Sequence, residues 1–179
     1  KRLYLTGGEP TLIQKNREVL DKLVEVGNNE CYVCWTTNLT NWPDEFYDKL
    51  DFFDESEVQM SIDGYEMTNV TKVVRWIERN QTRRVDFVPI FLESPDYIHS
   101  CVWPEEMRMD VVKQLEAFDT QYEGAIRNII NYTKNTNKYK GELINKMRTY
   151  VHFLDKYRKY KFEDVFPDMV KVIQHAHPD

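Results

Sequence analysis

The 179-residue chain is 41% hydrophobic and 30% charged, which allows a sizeable core in one domain or in a domain with an extension. Its formal net charge of -6 argues against a nucleic-acid partner, because no strong basic field is present to hold phosphates. No run approaches the roughly 20 apolar residues of a membrane-spanning helix, and three cysteines do not form a disulfide framework, so we expect a cytoplasmic protein without a membrane partner.

The N-terminal half predicts strands and helices in alternation. Alternating apolar residues indicate a strand at 2–6, and runs rich in β-favouring or apolar residues indicate strands at 31–37, 57–63 and 85–92. Apolar spacing and the residues at the helix ends indicate helices at 11–26, 43–50 and 71–80. Thr11 followed by Gln14 predicts a capping box at the start of the first helix, and Gly27 predicts its end. The β-α-β-α-β-α-β order is typical of a parallel sheet with helices outside.

The remainder of the chain, from Pro104 onward, predicts helices only. Apolar residues recur at helical spacing in four segments, of which the last, 162–173, is interrupted near Pro167. We therefore expect two parts, an α/β domain at 1–103 and a helical region at 104–179 that packs on it.

Between the first predicted strand and helix lies the sequence "GGEP". Gly7 and Gly8 allow positive φ or the close approach of a ligand to the backbone, and Glu9 and Pro10 follow at once. In a parallel sheet such a loop lies at the carboxyl end of a strand, where ligands bind. The alternative is a tight turn between strand and helix with an incidental acid.

Two other strands also end in polar residues. The second strand ends in "TTN" at Asn38, and the third ends in "SIDG", with Ser61 and Asp63 on one face. If the strands are parallel, these ends lie on the same edge of the sheet as the "GGEP" turn. The alternative for each strand end is simple solvation of a loop.

A strand followed by "GGEP", then strands that end in "TTN" and "SIDG", resembles the radical S-adenosylmethionine enzymes. The segments "VDFVPIFLESPDYIHSCVWPEEMR" and "FLDKYRKYKFEDVFPDMVKV" look like the twitch-type members of this family. The resemblance implies a partial TIM barrel in which three cysteines of a C-x3-C-x2-C loop hold a [4Fe-4S] cluster. It also implies an enzyme that cleaves S-adenosylmethionine reductively, so that a 5′-deoxyadenosyl radical abstracts hydrogen from a substrate.

The resemblance carries family roles to particular residues. The methionine amine would be held by the turn of Gly7, Gly8, Glu9 and Pro10. The Glu9 carboxylate would make a charge-assisted contact with this amine. Ser61 and Asp63 match the strand end that contacts the methionine or ribose part, and Asn38 is carried over with them. The resemblance assigns no catalytic residue, no metal ligand and no substrate within this chain.

The chain departs from the family pattern in two ways. The cluster loop, which precedes "GGEP" in the family, is absent from these 179 residues, and Cys31 and Cys34 lie in a predicted strand on opposite faces. Only about four of six barrel strands are predicted. We therefore expect a fragment whose cluster ligands lie before Lys1 and which is inactive by itself.

Two alternatives to an enzyme fragment stay open. One is a degenerate, non-catalytic α/β scaffold that binds a small molecule or a partner protein, and the other is a truncated reading frame without function.

Overall fold

The computed structural model describes residues 1–39, 41–63, 70–134, 141–159, 161–165, 167 and 170. The strands are β1 (Arg2–Leu5), β2 (Tyr32–Thr37), β3 (Ser56–Ile62) and β4 (Val85–Phe91). The helices that connect them are α1 (Gln14–Glu25), α2 (Asp44–Phe52) and α3 (Val70–Asn80). Each strand and helix predicted before residue 93 is confirmed, with bounds that differ by a few residues at most.

The strands form one parallel sheet in the order β1-β2-β3-β4. Because each connection runs to the neighbouring strand, right-handed crossovers would place the connecting helices on a single face of the sheet. The carboxyl ends of β1 and β2, where the glycine turn and Asn38 follow, share one edge. The predicted α/β class is therefore confirmed.

One face of the sheet is apolar and buried. The register pairs Leu5 with Trp35 and Trp35 with Val58, so these residues share a face with Val33 and Met60. All five are at most 4% exposed. Burial of such side chains stabilises the fold by roughly 1.5 to 3 kcal/mol each.

The two ends of α1 differ in how well the sequence predicts them. At the C-terminal end, Gly27 has a φ of 67°, and its N–H and that of Asn28 donate to Val24 O and Leu23 O, which is a Schellman motif. At the N-terminal end, the predicted capping box at Thr11 is wrong. A 3-10 helix over Pro10–Leu12 comes first, and the α1 N-cap is Ile13, without a side-chain cap.

The second half of the described chain is helical, as predicted. The helices are α4 (Glu105–Glu116), α5 (Glu123–Lys134), α6 (Gly141–Asp155) and α7 (Phe162–Val165). Short 3-10 helices at Asp96–Ile98 and Ser100–Val102 precede α4. The predicted continuation of the last helix to residue 173 falls largely outside the described residues. No helix in the part of the chain described is both long and apolar enough to cross a membrane.

The chain divides into two compact units. The first contains Lys1–Ser61, Thr71–Ile90 and Asp119–Ile126, and the second contains the described residues of Ile62–Val70, Phe91–Phe118 and Arg127–Asp179. The proposed boundary at residue 103 stays a prediction.

Aromatic rings dominate the core of the first unit. Trp76 stacks on Phe87 with ring centroids 5.0 Å apart, and the Tyr122 ring lies 6.0 Å from that of Trp76. The Tyr122 hydroxyl donates to Asn80 O at 3.1 Å, which satisfies a carbonyl at the end of α3.

The second unit has a buried polar cluster of its own. The Arg108 guanidinium, 3% exposed, donates to Trp103 O and to Thr133 O at 3.2 and 3.0 Å. The latter is one of the last carbonyls of α5, which lack helical partners. His99 is also buried, and its Nδ1 accepts the Cys101 N–H at 2.9 Å. In its neutral form, the proton of His99 is therefore on Nε2.

Candidate functional site

The turn after β1 contains two consecutive glycines with positive φ. Gly7 has a φ of 87° and Gly8 has a φ of 56°. Residues that carry a Cβ rarely adopt these angles. A Cβ built on either residue meets no other heavy atom of the described chain within 4 Å. The backbone conformation, and not packing within this protein, is therefore what favours glycine here.

The Glu9 carboxylate caps the 3-10 helix that follows the glycines. Its Oε1 accepts from the backbone N of Thr11 at 3.4 Å and from the Thr11 hydroxyl at 2.9 Å. The same hydroxyl also lies within hydrogen-bond distance of Asn41 O, so its single proton is shared between two acceptors. Glu9 thus has a structural role in the turn.

A second threonine connects Glu9 to the neighbouring strand. The Thr37 hydroxyl lies 2.8 Å from Oε1 and 2.7 Å from Oε2 of Glu9, and it also accepts the Leu39 N–H at 3.0 Å. Thr37 is 1% exposed, whereas Glu9 is half-buried. A carboxylate has about four lone-pair positions, and within the described chain Oε2 receives only this one donor. Glu9 therefore keeps the capacity to accept from a cation at the surface.

The remaining predicted site residues lie at or near the ends of their strands. Pro10 is buried in the first turn of the 3-10 helix, and Asn38 is half-buried directly after β2. Ser61 is half-buried near the end of β3. Asp63, also half-buried, follows β3 and belongs to the second unit. The structure thus brings Gly7, Gly8, Glu9 and Pro10 together in one turn.

The face of the sheet opposite the apolar one is polar, which the sequence analysis missed. Register places Cys34 beside Glu57 and Thr36 beside Gln59. Glu57 Oε1 accepts from Cys34 Sγ at 3.4 Å and from Gln59 Nε2 at 2.6 Å, and Gln59 Oε1 accepts from the Thr36 hydroxyl at 3.1 Å. Ser61 continues this face toward the carboxyl edge. The alternation of polar residues in "SEVQMSI" was the signal that could have revealed it.

Burial raises the pKa values of a thiol and a phenol beside Glu57. Burial, then a hydrogen bond to Glu57 and its charge, raises the pKa of Cys34 to about 12. The same causes, with burial again the largest, raise the pKa of Tyr32 well above its usual value. At neutral pH the Cys34 thiol is therefore not a thiolate and is a poor nucleophile or metal ligand.

The cysteines do not fit an iron–sulfur cluster. Cys31, Cys34 and Cys101 are all buried, Cys34 Sγ points at Glu57, and Cys31 Sγ lies 3.9 Å from Tyr32 O. Among the described residues, no group of three or more His, Cys, Asp or Glu side chains has a metal-binding arrangement. The part of the chain described therefore supplies no cluster site.

Comparison of the chain with protein-family models, curated proteins and solved structures gives no match. Its function therefore has to be inferred from the residues of the site themselves.

Proposed function

We propose that the chain is part of a radical S-adenosylmethionine enzyme and that its glycine turn binds the methionine amine of this cofactor. In this proposal the four-stranded sheet is a portion of a partial TIM barrel. The cysteines that hold the [4Fe-4S] cluster lie outside these 179 residues, and the isolated chain has no activity.

The conformation of the turn is the observation that carries the proposal. Gly7 and Gly8 have φ values of 87° and 56° and open space at both Cβ positions, directly beside the half-exposed Glu9 carboxylate. Backbone without side chains next to a carboxylate suits a small ammonium group, which needs close approach and a negative partner. The location, at the carboxyl end of β1, is where parallel sheets bind ligands.

The polar face of the sheet supports the same proposal. A sheet that closes toward a barrel turns one face to its interior and packs the other against helices. Glu57, Gln59 and Ser61 alternate along β3 on the face that the core does not use, and Thr36 lies next to them. Half-buried polar side chains of this kind are suited to line an interior that admits a polar ligand.

Each residue of the turn has a distinct role in the proposal. In such an enzyme, S-adenosylmethionine would supply the group that abstracts hydrogen from a substrate, and the residues of the turn would hold its methionine amine. Glu9 accepts hydrogen bonds from the ammonium of the cofactor, while Thr37 and Thr11 hold the carboxylate in one orientation. Gly7 and Gly8 leave the approach open, and Ser61 is proposed to orient the methionine or ribose part.

A second candidate is a non-catalytic α/β scaffold that binds a small molecule or a partner protein. The contacts of Glu9 favour it, since a carboxylate that caps a helix and connects two strands has a complete structural explanation. The buried cysteines favour it as well. The two candidates differ in whether the turn recognises S-adenosylmethionine.

Titration calorimetry of the chain with S-adenosylmethionine tests the proposal. Without chelation to a cluster, only a few polar contacts remain, so we expect a dissociation constant of about 1 mM, which corresponds to about 4 kcal/mol. Gly8→Val fills the approach and Glu9→Gln removes the charge, so both variants should abolish binding. Gly27→Val is the matched control, because Gly27 also has positive φ and open space but lies at the other end of α1.

The outcomes separate the two candidates. Loss of binding in Gly8→Val and Glu9→Gln, with Gly27→Val within about twofold of the parent chain, supports the enzyme fragment. Micromolar binding that is insensitive to both site variants would mean that the cofactor binds elsewhere. Absence of any binding at about 10 mM would favour the scaffold.

A further inference from the structure

A cavity of about 490 Å³ lies in the first unit, next to the loop that follows β2. It is lined by one side of α3, by Tyr47 of α2 and by Leu39 and Trp42 of the loop that precedes α2. This volume is in the range of pockets that bind small molecules. None of the residues proposed above to bind S-adenosylmethionine lines it.

Aromatic rings form one wall of the cavity. The Trp42 and Trp76 rings meet edge to face, with centroids 6.3 Å apart and planes at 87°, and the Tyr47 ring lies 6.2 Å from Trp42. Trp76 is 2% exposed, so its position is fixed by the core. Trp42 is half-buried, so the part of its ring that stays accessible is a rigid surface for a flat ligand.

The two tryptophans also carry buried donors without acceptors. The Nε1 atoms of Trp42 and Trp76 are inaccessible to solvent and have no hydrogen-bond partner within the described residues. A buried donor that lacks a partner costs about 1 to 3 kcal/mol. Because a water molecule does not reach either nitrogen, a ligand oxygen does not reach it either, and recognition of a ligand has to come from the accessible ring surface and the cations.

Lys72, Arg75 and Arg79 also line the cavity. The Arg79 guanidinium forms an ion pair with the Asp44 carboxylate at 2.6 Å, and it lies over the Tyr47 ring at 4.4 Å from the ring centroid. Arg75 is exposed, and no ion pair holds it among the residues described, while Lys72 is half-buried. Within the described part of the chain, Glu78 is the one acidic side chain in the lining. In a chain of net charge -6, this local excess of cations favours an anion.

We propose that this cavity binds a small anionic ligand with a planar aromatic ring. The aromatic ring of the ligand packs against Trp42, and its anionic group meets Arg75. Two classes of molecule share this chemistry, nucleoside phosphates and aromatic carboxylates. The inference does not depend on the glycine turn or on the family to which the chain is proposed to belong.

Calorimetric titration of the whole chain with four probes tests the proposal. AMP and 2-naphthoate each combine a flat ring with an anion, adenosine has the ring alone, and inorganic phosphate has the anion alone. We expect AMP or 2-naphthoate to bind at least about tenfold more tightly than both adenosine and phosphate. Tighter binding of AMP identifies a nucleotide site, and tighter binding of 2-naphthoate identifies a carboxylate site.

Three variants locate the binding. Arg75→Ala removes an exposed cation, and Trp42→Leu removes the ring against which the ligand packs, so each should weaken the better probe about fivefold or more. Arg158→Ala is the matched control, because Arg158 is exposed but lies in the second unit. Its binding should stay within about twofold of the parent chain.

Three results would overturn the proposal. The first is that adenosine or phosphate binds as tightly as AMP and 2-naphthoate. The second is that Arg75→Ala and Arg158→Ala lose the same affinity for the better probe. The third is that neither AMP nor 2-naphthoate binds with a dissociation constant below about 1 mM.

Discussion

The Thr37 hydroxyl lies almost equidistant from the two carboxylate oxygens of Glu9, at 2.8 and 2.7 Å. The single hydroxyl proton is shared by both oxygens, so the carboxylate is held with both oxygens facing Thr37 at the end of β2. Glu9 follows β1 and Thr37 ends β2, so this contact joins the ends of two neighbouring strands. The same contact orients the carboxylate that we propose to bind an ammonium.

We expect Thr37→Val to reduce the free energy of unfolding by about 1 to 2 kcal/mol, because it removes a hydrogen bond to a charged group. Valine fits a strand well, so the backbone should not change. Glu9→Gln should be coupled to this substitution by about 1 kcal/mol in a double-mutant cycle measured by urea unfolding.

Thr36→Val is the matched control for this contact. Thr36 is the preceding residue and faces the other side of the sheet, where its hydroxyl donates to Gln59 at 3.1 Å. Its substitution should show no coupling to Glu9→Gln. Equal coupling at both positions would contradict the assigned role of Thr37.

The alternation of strands and helices was predictable because it depends on local periodicity. The apolar alternation of Arg2–Leu5 and the helical spacing after Gln14 each involve residues that are close together in the sequence. Gly27 was predictable for the same reason, since its positive φ is a local requirement of the helix end.

Contacts between distant residues were not predictable from the sequence. Thr11 looked like a helix cap, but its hydroxyl bonds to Glu9 and reaches Asn41, thirty residues away. The polar face depends on the register that places Cys34 beside Glu57, and the sequence does not contain this register. The tryptophan-lined cavity likewise requires α3 to lie near the loop before α2.

We expect Gly7→Ala and Gly8→Ala each to destabilise the chain by about 1 to 2 kcal/mol, because alanine is strained at positive φ even where space is open. Gly124→Ala is the control, since Gly124 lies in α5 without positive φ and its Cβ would also meet open space. That substitution should be neutral or stabilise by up to about 1 kcal/mol. Thermal unfolding measures all three, and equal losses at the three glycines would contradict the strain argument.

We expect the chain to lose stability between about pH 9 and pH 12. Burial raises the pKa of Cys34 from 9.0, and those of Tyr122 and Tyr132 from 10.0, to about 12 in each case. Over this range the unfolded chain releases protons that the folded chain retains, so the free energy of unfolding falls as pH rises. Below pH 9 this stabilisation is fully present.

Urea unfolding at a series of pH values measures this effect. Cys34→Ala and Tyr122→Phe should each make the decline between about pH 9 and pH 12 less steep, whatever they do to stability at neutral pH. A stability that stays constant over this range, or a slope that neither substitution changes, would be inconsistent with the raised pKa values.

The last prediction concerns iron. After anaerobic reconstitution with iron and sulfide and subsequent desalting, the 179-residue chain should retain no stoichiometric iron. Cys34 Sγ is directed to Glu57 across the sheet at 3.4 Å, Cys31 is buried just before β2, and a thiol whose pKa is raised to about 12 is a poor ligand. Binding would therefore require the strand to unfold locally.

Stoichiometric iron that is retained by the parent chain and lost in Cys31→Ser would show that these cysteines do form a cluster site. Retention that Cys31→Ser and Cys34→Ser leave unchanged would instead assign the iron to other residues. Either result would overturn the proposal that the cluster ligands lie outside this chain.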